Sequence, residues 1–127
     1  MIRLLIVESQ PAVRKGLHMR LAAEADLSVV GDASDDQTAV ALTAALRPDV
    51  VLMDIEMPRS DATSNALRLI CRQVPVVVLS MQDDSLTRAR AADAGAAAFV
   101  GKSMPKDTLL TAIREASQMK CALGEGG

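Results

Sequence analysis

The chain has 127 residues, half of them apolar, and a net charge of −2 at neutral pH. That suffices for one domain with a real core, and the slightly acidic balance excludes a strongly basic nucleic-acid face on this segment. Trp and Tyr are absent and Phe99 is the single aromatic residue, which argues against binding single strands by base stacking.

The first residues enter a strand pattern directly, at about Ile2 to Val7, with no basic leader and no small-residue cleavage site. No apolar run is long enough to span a bilayer, so a cytoplasmic protein with no membrane contact is expected. Pro11 suits the first turn of a helix. Val13, Leu17 and Leu21 then follow at a spacing of four and give that helix an apolar stripe. LSVVGDA, from Leu27, reads as the second strand. Ser34 or Asp35 caps a second helix, with Leu42 and Leu46 on its buried side and Pro48 closing it.

DVVLM, ending at Asp54, is the third strand. IEMPRSDATSN is polar, contains Pro58 and reads as a loop, followed by a short helix around Ala66 to Arg72. Pro75 opens the fourth strand, VVVLS. Asp83, Asp84 and Ser85 start a fourth helix, where acidic side chains suit the positive end of the helix dipole. Gly95 stands where that helix needs a C-terminal cap. The fifth strand is about Ala97 to Val100. Pro105 opens the last helix, with Leu109, Ile113 and Ala116 as its stripe. GEGG, from Gly124, is linker-like.

Strands alternating with helices predict a parallel sheet covered on both faces. Each strand is short, β-branched and nearly continuous, as burial on both faces requires. Four of them end in a lone polar residue: LLIV at Glu8, VVLM at Asp54, VVVL at Ser80 and AAFVG at Lys102. In an open α/β sheet these residues emerge together at the ligand-binding edge. A carboxylate, a hydroxyl and an ammonium converging there make a site for handling a phosphoryl group. This reading requires Asp54 to lie within side-chain reach of Lys102 and to be open to solvent.

Cys71 and Cys121 stand far apart with no CxxC spacing and read as free thiols in a reducing compartment. His18, the only histidine, lies in a helical pattern, so zinc binding is not expected.

LLIVES, DVVLMDIEMP, VVVLS, GAAAFVGKSMP and the following LLTAIREA together resemble the receiver domain of bacterial two-component response regulators, over essentially the whole chain. VVGDASD and the helix after Lys102 look most like the LuxR/NarL-type subfamily. The resemblance implies a flavodoxin-like α/β fold, a five-stranded parallel sheet in order 2-1-3-4-5 flanked by five helices. It implies a receiver over residues 1–120 and a flexible tail over 121–127, leading toward a helix-turn-helix output domain that this chain does not contain. DNA would be reached only through that domain.

By the same resemblance Asp54 accepts a phosphoryl group from a sensor histidine kinase, Lys102 pairs with the phosphoryl oxygens, and Ser80 donates its hydroxyl to one of them. Phe99 changes rotamer with the switch, against the plain alternative of a core side chain. Mg²⁺ is the implied cofactor, held by Glu8, Asp54 and Glu56. The domain is a switch controlling an output such as transcription and is not classed as an enzyme. Dimerisation through a helical face is open.

Two departures stand out. Receivers carry two acidic residues after the first strand, whereas this chain has Glu8-Ser9, so a weakened Mg²⁺ site is expected. After Met57-Pro58 the usual glycine turn is missing, which predicts an irregular or mobile loop and a short third helix. These departures support the runner-up reading, a phosphorylation-independent interaction module. A phosphatase of the haloacid-dehalogenase type also places an Asp nucleophile at a strand end. It needs a second Asp where Glu56 stands, and a cap domain; turnover of a phosphomonoester would mark it.

Overall fold

The computed structural model describes residues 1–55, 61–81 and 84–126, with the side chains of 61–63 and 120–126 excepted. Five strands and five helices alternate: β1 (Ile2–Val7), α1 (Pro11–Ala22), β2 (Leu27–Ala33), α2 (Asp36–Leu46), β3 (Val50–Asp54), α3 (Asp61–Cys71), β4 (Val76–Ser80), α4 (Ser85–Asp93), β5 (Ala98–Gly101) and α5 (Lys106–Gly126). All strand pairings are parallel, in the order β2-β1-β3-β4-β5. The expected sheet order is therefore the observed one, with the topological switch point between β1 and β3.

Both faces of the sheet are covered, so successive side chains of one strand enter opposite cores. Leu4, Ile6, Leu52, Val77, Leu79 and Val100 pack with Leu17 and Leu21 of α1 and Leu109, Leu110, Ile113 and Ala116 of α5. Leu5, Val7, Val51, Met53, Val76 and Val78 pack with Ala39 of α2, Leu67 and Ile70 of α3, and Ala91 of α4. Each fully buried aliphatic side chain contributes about 2 kcal/mol, which explains why these strands contain almost nothing else.

Local signals set the helix ends. Asp35 Oδ1 accepts the Thr38 backbone N–H at 2.7 Å, and Asp84 Oδ1 accepts that of Thr87 at 2.7 Å. Asp35, of the two expected candidates, is the cap of α2. Its stop is Arg47, in the left-handed region at φ 47°, whose N–H reaches the Thr43 carbonyl. Pro48 follows and disfavours helical backbone before it. Gly95 follows α4 at φ 100°, and an added Cβ there would meet Cys71 Cβ at 3.3 Å. A glycine suits that position on both counts.

Two helices differ from the sequence expectation. α3 begins at Asp61 and spans 11 residues, so DATSN is helical and not loop. Polar Asp, Thr and Ser are common in a first turn, where their side chains meet free N–H groups, and Ala66, Leu67 and Ile70 fasten the rest by burial. The segment before it, including Met57 and Pro58, lies outside the described residues. α5 runs 21 residues, to Gly126, through the segment read from composition as a tail. Glycine costs about 1 kcal/mol in a helix interior but does not by itself end one.

Midway along α5, Arg114 forms a double contact with Asp26, Nε to Oδ2 at 2.8 Å and Nη2 to Oδ1 at 2.9 Å, and reaches Glu24 Oε1 at 3.1 Å. This ties α5 to the turn between α1 and β2. Cys71 is a free, half-buried thiol, and burial pushes its pKa up to about 11, so it stays protonated. The side chain of Cys121 lies outside the described residues.

Candidate functional site

The carboxyl ends of β1, β3 and β5 bring three predicted side chains together. Backbone bonds extend the ladder just past the strands and fix their positions: Glu8 N–H to Ala33 O at 2.9 Å, Ile55 N–H to Leu79 O at 2.9 Å, and Lys102 N–H to Ser80 O at 2.8 Å. Lys102 Nζ lies against Asp54 Oδ2 and is 3.5 Å from Glu8 Oε1. The Glu8 and Asp54 side chains are each 1% exposed and that of Lys102 is 16% exposed. Among the described residues this is a buried acid–acid–lysine cluster.

The requirement that Asp54 lie beside Lys102 is met. The requirement that it be open to solvent is not: the carboxylate is covered in this state. Two carboxyl groups share one low-dielectric space with the Lys102 ammonium, which rests on one of the Asp54 oxygens.

Electrostatics follow from that crowding. Burial, with the neighbouring Glu8 carboxyl adding to it, pushes Asp54 up to about 8, against the pull of Lys102. Burial raises Glu8 too, but the neighbouring Asp54 carboxyl, the Gln10 N–H and the Lys102 charge outweigh it and leave Glu8 below its ordinary value. The Gln10 N–H donates to Glu8 Oε2 at 2.9 Å, and Arg14 Nη1 donates to the Glu8 carbonyl at 2.9 Å. The sequence did not single out these two orienting contacts. One donor is a backbone N–H and the other sits in the first turn of α1, so neither leaves a motif.

Ser80 ends β4 and is 1% exposed. Strand parity puts it on the face of Val78, opposite to Asp54 and Lys102, which share the parity of Leu52 and Val100. Paired strands place Ser80 beside Gly101, and Val78 beside Phe99. Phe99 is half-buried against the second core, and the Arg88 guanidinium sits 4.7 Å above its ring. The ring therefore meets the core on one side and a surface guanidinium on the other. Glu56 lies outside the described residues.

Glu8 Oε1, Asp54 Oδ1 and Asp54 Oδ2 are buried and accept no hydrogen bond, the ion pairs with Lys102 aside. Such oxygens suit a hard divalent cation, which takes one or two carboxylates and completes its shell with water and phosphate. No group of three His, Cys, Asp or Glu capable of holding a metal occurs among the described residues. Ser9, exposed beside Glu8, supplies no charge. Ser9→Asp is therefore expected to tighten Mg²⁺ binding by about an order of magnitude, measured by calorimetry on the unphosphorylated protein. Equal affinities would mean that position 9 does not reach the metal.

This arrangement, a buried aspartate beside a lysine at the switch edge of a 2-1-3-4-5 parallel sheet, defines the receiver class. Residues 4–114 match the response regulator receiver domain, and the chain belongs to that family. It is 34% identical over 119 residues to the transcriptional regulatory protein DegU of Brevibacillus brevis, covering 92% of this chain and 50% of that protein. It is 36% identical over 122 residues to the transcriptional regulatory protein LiaR of Bacillus subtilis (strain 168), covering 93% of this chain and 57% of that protein. The chain thus spans about half the length of these curated relatives.

Among solved structures, the receiver domain of the response regulator NarL from Mycobacterium tuberculosis superposes with a TM-score of 0.82 at 26% identity, over 92% of this chain and 96% of that one. A LuxR-family response regulator from Aurantimonas sp. SI85-9A1 gives 0.84 at 27% identity, over 93% and 86%. These likenesses bear out the LuxR/NarL-type resemblance. No helix among the described residues is long and apolar enough to cross a membrane.

Proposed function

We propose that this chain is a phosphorylation switch that takes a phosphoryl group on Asp54 from the phosphohistidine of a partner histidine kinase and biases an output, transcription being the one its relatives' names suggest. The observation that carries the reading is the contact of Lys102 with Asp54 in a buried pocket shared with Glu8. An Asp54 oxygen attacks phosphorus and forms an acyl phosphate bond. The P–N bond to the donor imidazole breaks, and the imidazole leaves with the electron pair.

Asp54 must be deprotonated to attack, and at rest it is held partly protonated by burial and by Glu8. Lys102 stabilises the carboxylate and then the phosphoryl oxygens as charge builds on them. Glu8 and Asp54, with Glu56 as a further carboxylate, would hold Mg²⁺, which neutralises charge on the transferring group when bound. Glu8-Ser9 in place of two acids makes this a weak metal site. The buried carboxylate also implies that the rim opens before a donor reaches it, a motion natural to a switch. Ser80 supplies its hydroxyl to the phosphoryl group after turning from the Phe99 face. The added dianion then favours the conformation that satisfies it. On this reading DNA contact belongs to an output domain outside this chain.

Intact-mass measurement after acetyl phosphate and Mg²⁺ tests the proposal. Wild type is expected to gain one phosphoryl adduct and Asp54→Asn none. An adduct that persists in the variant moves the acceptor elsewhere, and no adduct on wild type ends the reading.

A further inference from the structure

We propose that Arg88 is a positioning residue for Phe99, clamping the ring between α4 and β5 so as to oppose the turn of Ser80 toward Asp54. The inference rests on the phosphoryl-accepting reading given above. Its starting point is the cation–π contact of Arg88, an exposed residue of α4, with the only aromatic ring in the chain, at 4.7 Å.

Three placements link this contact to the pocket. First, Ser80 and Phe99 share one face of the sheet and are diagonal neighbours, since Ser80 pairs with Gly101 and Phe99 with Val78. Gly101 has no side chain, so Phe99 is the nearest β5 side chain on that face toward the strand's start. Second, α4 is the helix that follows β4 in the chain, and its capping residue Asp84 holds the Thr87 N–H one position before Arg88. Third, Phe99 belongs to β5, whose next residues lead to Lys102. The guanidinium–ring contact is thus a bond between the helix that follows β4 and the strand that holds the lysine.

The clamp holds the Phe99 ring in the place it takes diagonal to Ser80, and so opposes a movement of Ser80 that needs the ring to give way. It stabilises the unphosphorylated arrangement by the worth of an exposed cation–π pair, a factor of about two to five in the switching equilibrium. Arg is suited to this because its flat guanidinium stacks on a ring while its stem covers apolar surface.

The test titrates beryllofluoride with Mg²⁺ by calorimetry into wild type, Arg88→Met, Arg88→Lys, Phe99→Leu and the double variant Arg88→Met/Phe99→Leu. Arg88→Met is expected to bind about two- to fivefold tighter, and Arg88→Lys, which keeps a cation over the ring, close to wild type. On the Phe99→Leu background Arg88→Met is expected to add nothing. In the free protein, Arg88→Met is also expected to change the near-ultraviolet circular dichroism of the lone phenylalanine. Unchanged affinity, an unchanged phenylalanine band or an equal effect without Phe99 overturns the clamp. If wild type binds no beryllofluoride and forms no acetyl phosphate adduct, the Asp54 reading fails and takes the inference with it. Adducts on every variant with identical affinities overturn the clamp alone.

Discussion

Between about pH 4 and pH 8 the wild-type domain is expected to lose stability as the pH rises, and Asp54→Asn to lose much less. The cause is the Asp54 carboxyl, raised from 3.8 to about 8 first by burial and then by Glu8. In that window the folded state holds a proton that the unfolded chain has released. Stability then falls with rising pH, by up to about 1.4 kcal/mol per unit. This contribution is complete below the unfolded value and gone once the pH passes the folded one. Glu8 works in the opposite sense: its lowered pKa adds stability above its unfolded value of 4.5 that is lost as the pH falls. Urea unfolding of both proteins at the two ends of the window measures the difference. Parallel stability profiles would mean that Asp54 titrates like an ordinary carboxyl. Mg²⁺ is expected to reverse part of the loss, since binding favours the deprotonated oxygens.

Lys102→Met is expected to have the second large effect, a loss of about 3–5 kcal/mol at the alkaline end of that window. The side chain is 16% exposed and touches two carboxylates that are each 1% exposed. Removing it leaves two buried anions facing each other. The cost shrinks at lower pH, where Asp54 takes up a proton and only one charge remains. Unfolding of Lys102→Met with and without Asp54→Asn separates charge from packing. On the neutral background the penalty is expected to fall by more than half. A penalty independent of Asp54 would assign the stabilisation to the lysine's methylene stem.

The strands were legible because burial on both faces forces continuous apolar runs, and each run's first polar residue marks where the sheet ends. Glu8, Asp54 and Lys102 could be placed together for that reason. The same continuity hid which face each side chain takes. With no polar alternation along VVVLS, nothing in the sequence said that Ser80 stands on the strand face opposite to that of Asp54. Nor did it show that the acid would be covered, because burial depends on how near Lys102 settles. α3 was misread because Asp, Thr, Ser and Asn favour loops and first turns alike. The length of α5 was missed because glycine lowers helix stability without forbidding the helix. The Arg88–Phe99 contact joins separate elements and leaves no local trace.

The fastening of α5 by Arg114 has a mechanical corollary. The helix starts at Lys106, close to the pocket lysine, and is gripped at its third turn by Asp26 and Glu24. At 1.5 Å per residue the arm before that grip is roughly 12 Å long and the arm after it, to Gly126, roughly 18 Å. Such a rod is a lever with its fulcrum off centre. Any tilt imposed beside Lys102 sweeps the distal end through an arc half again as large, in the opposite sense.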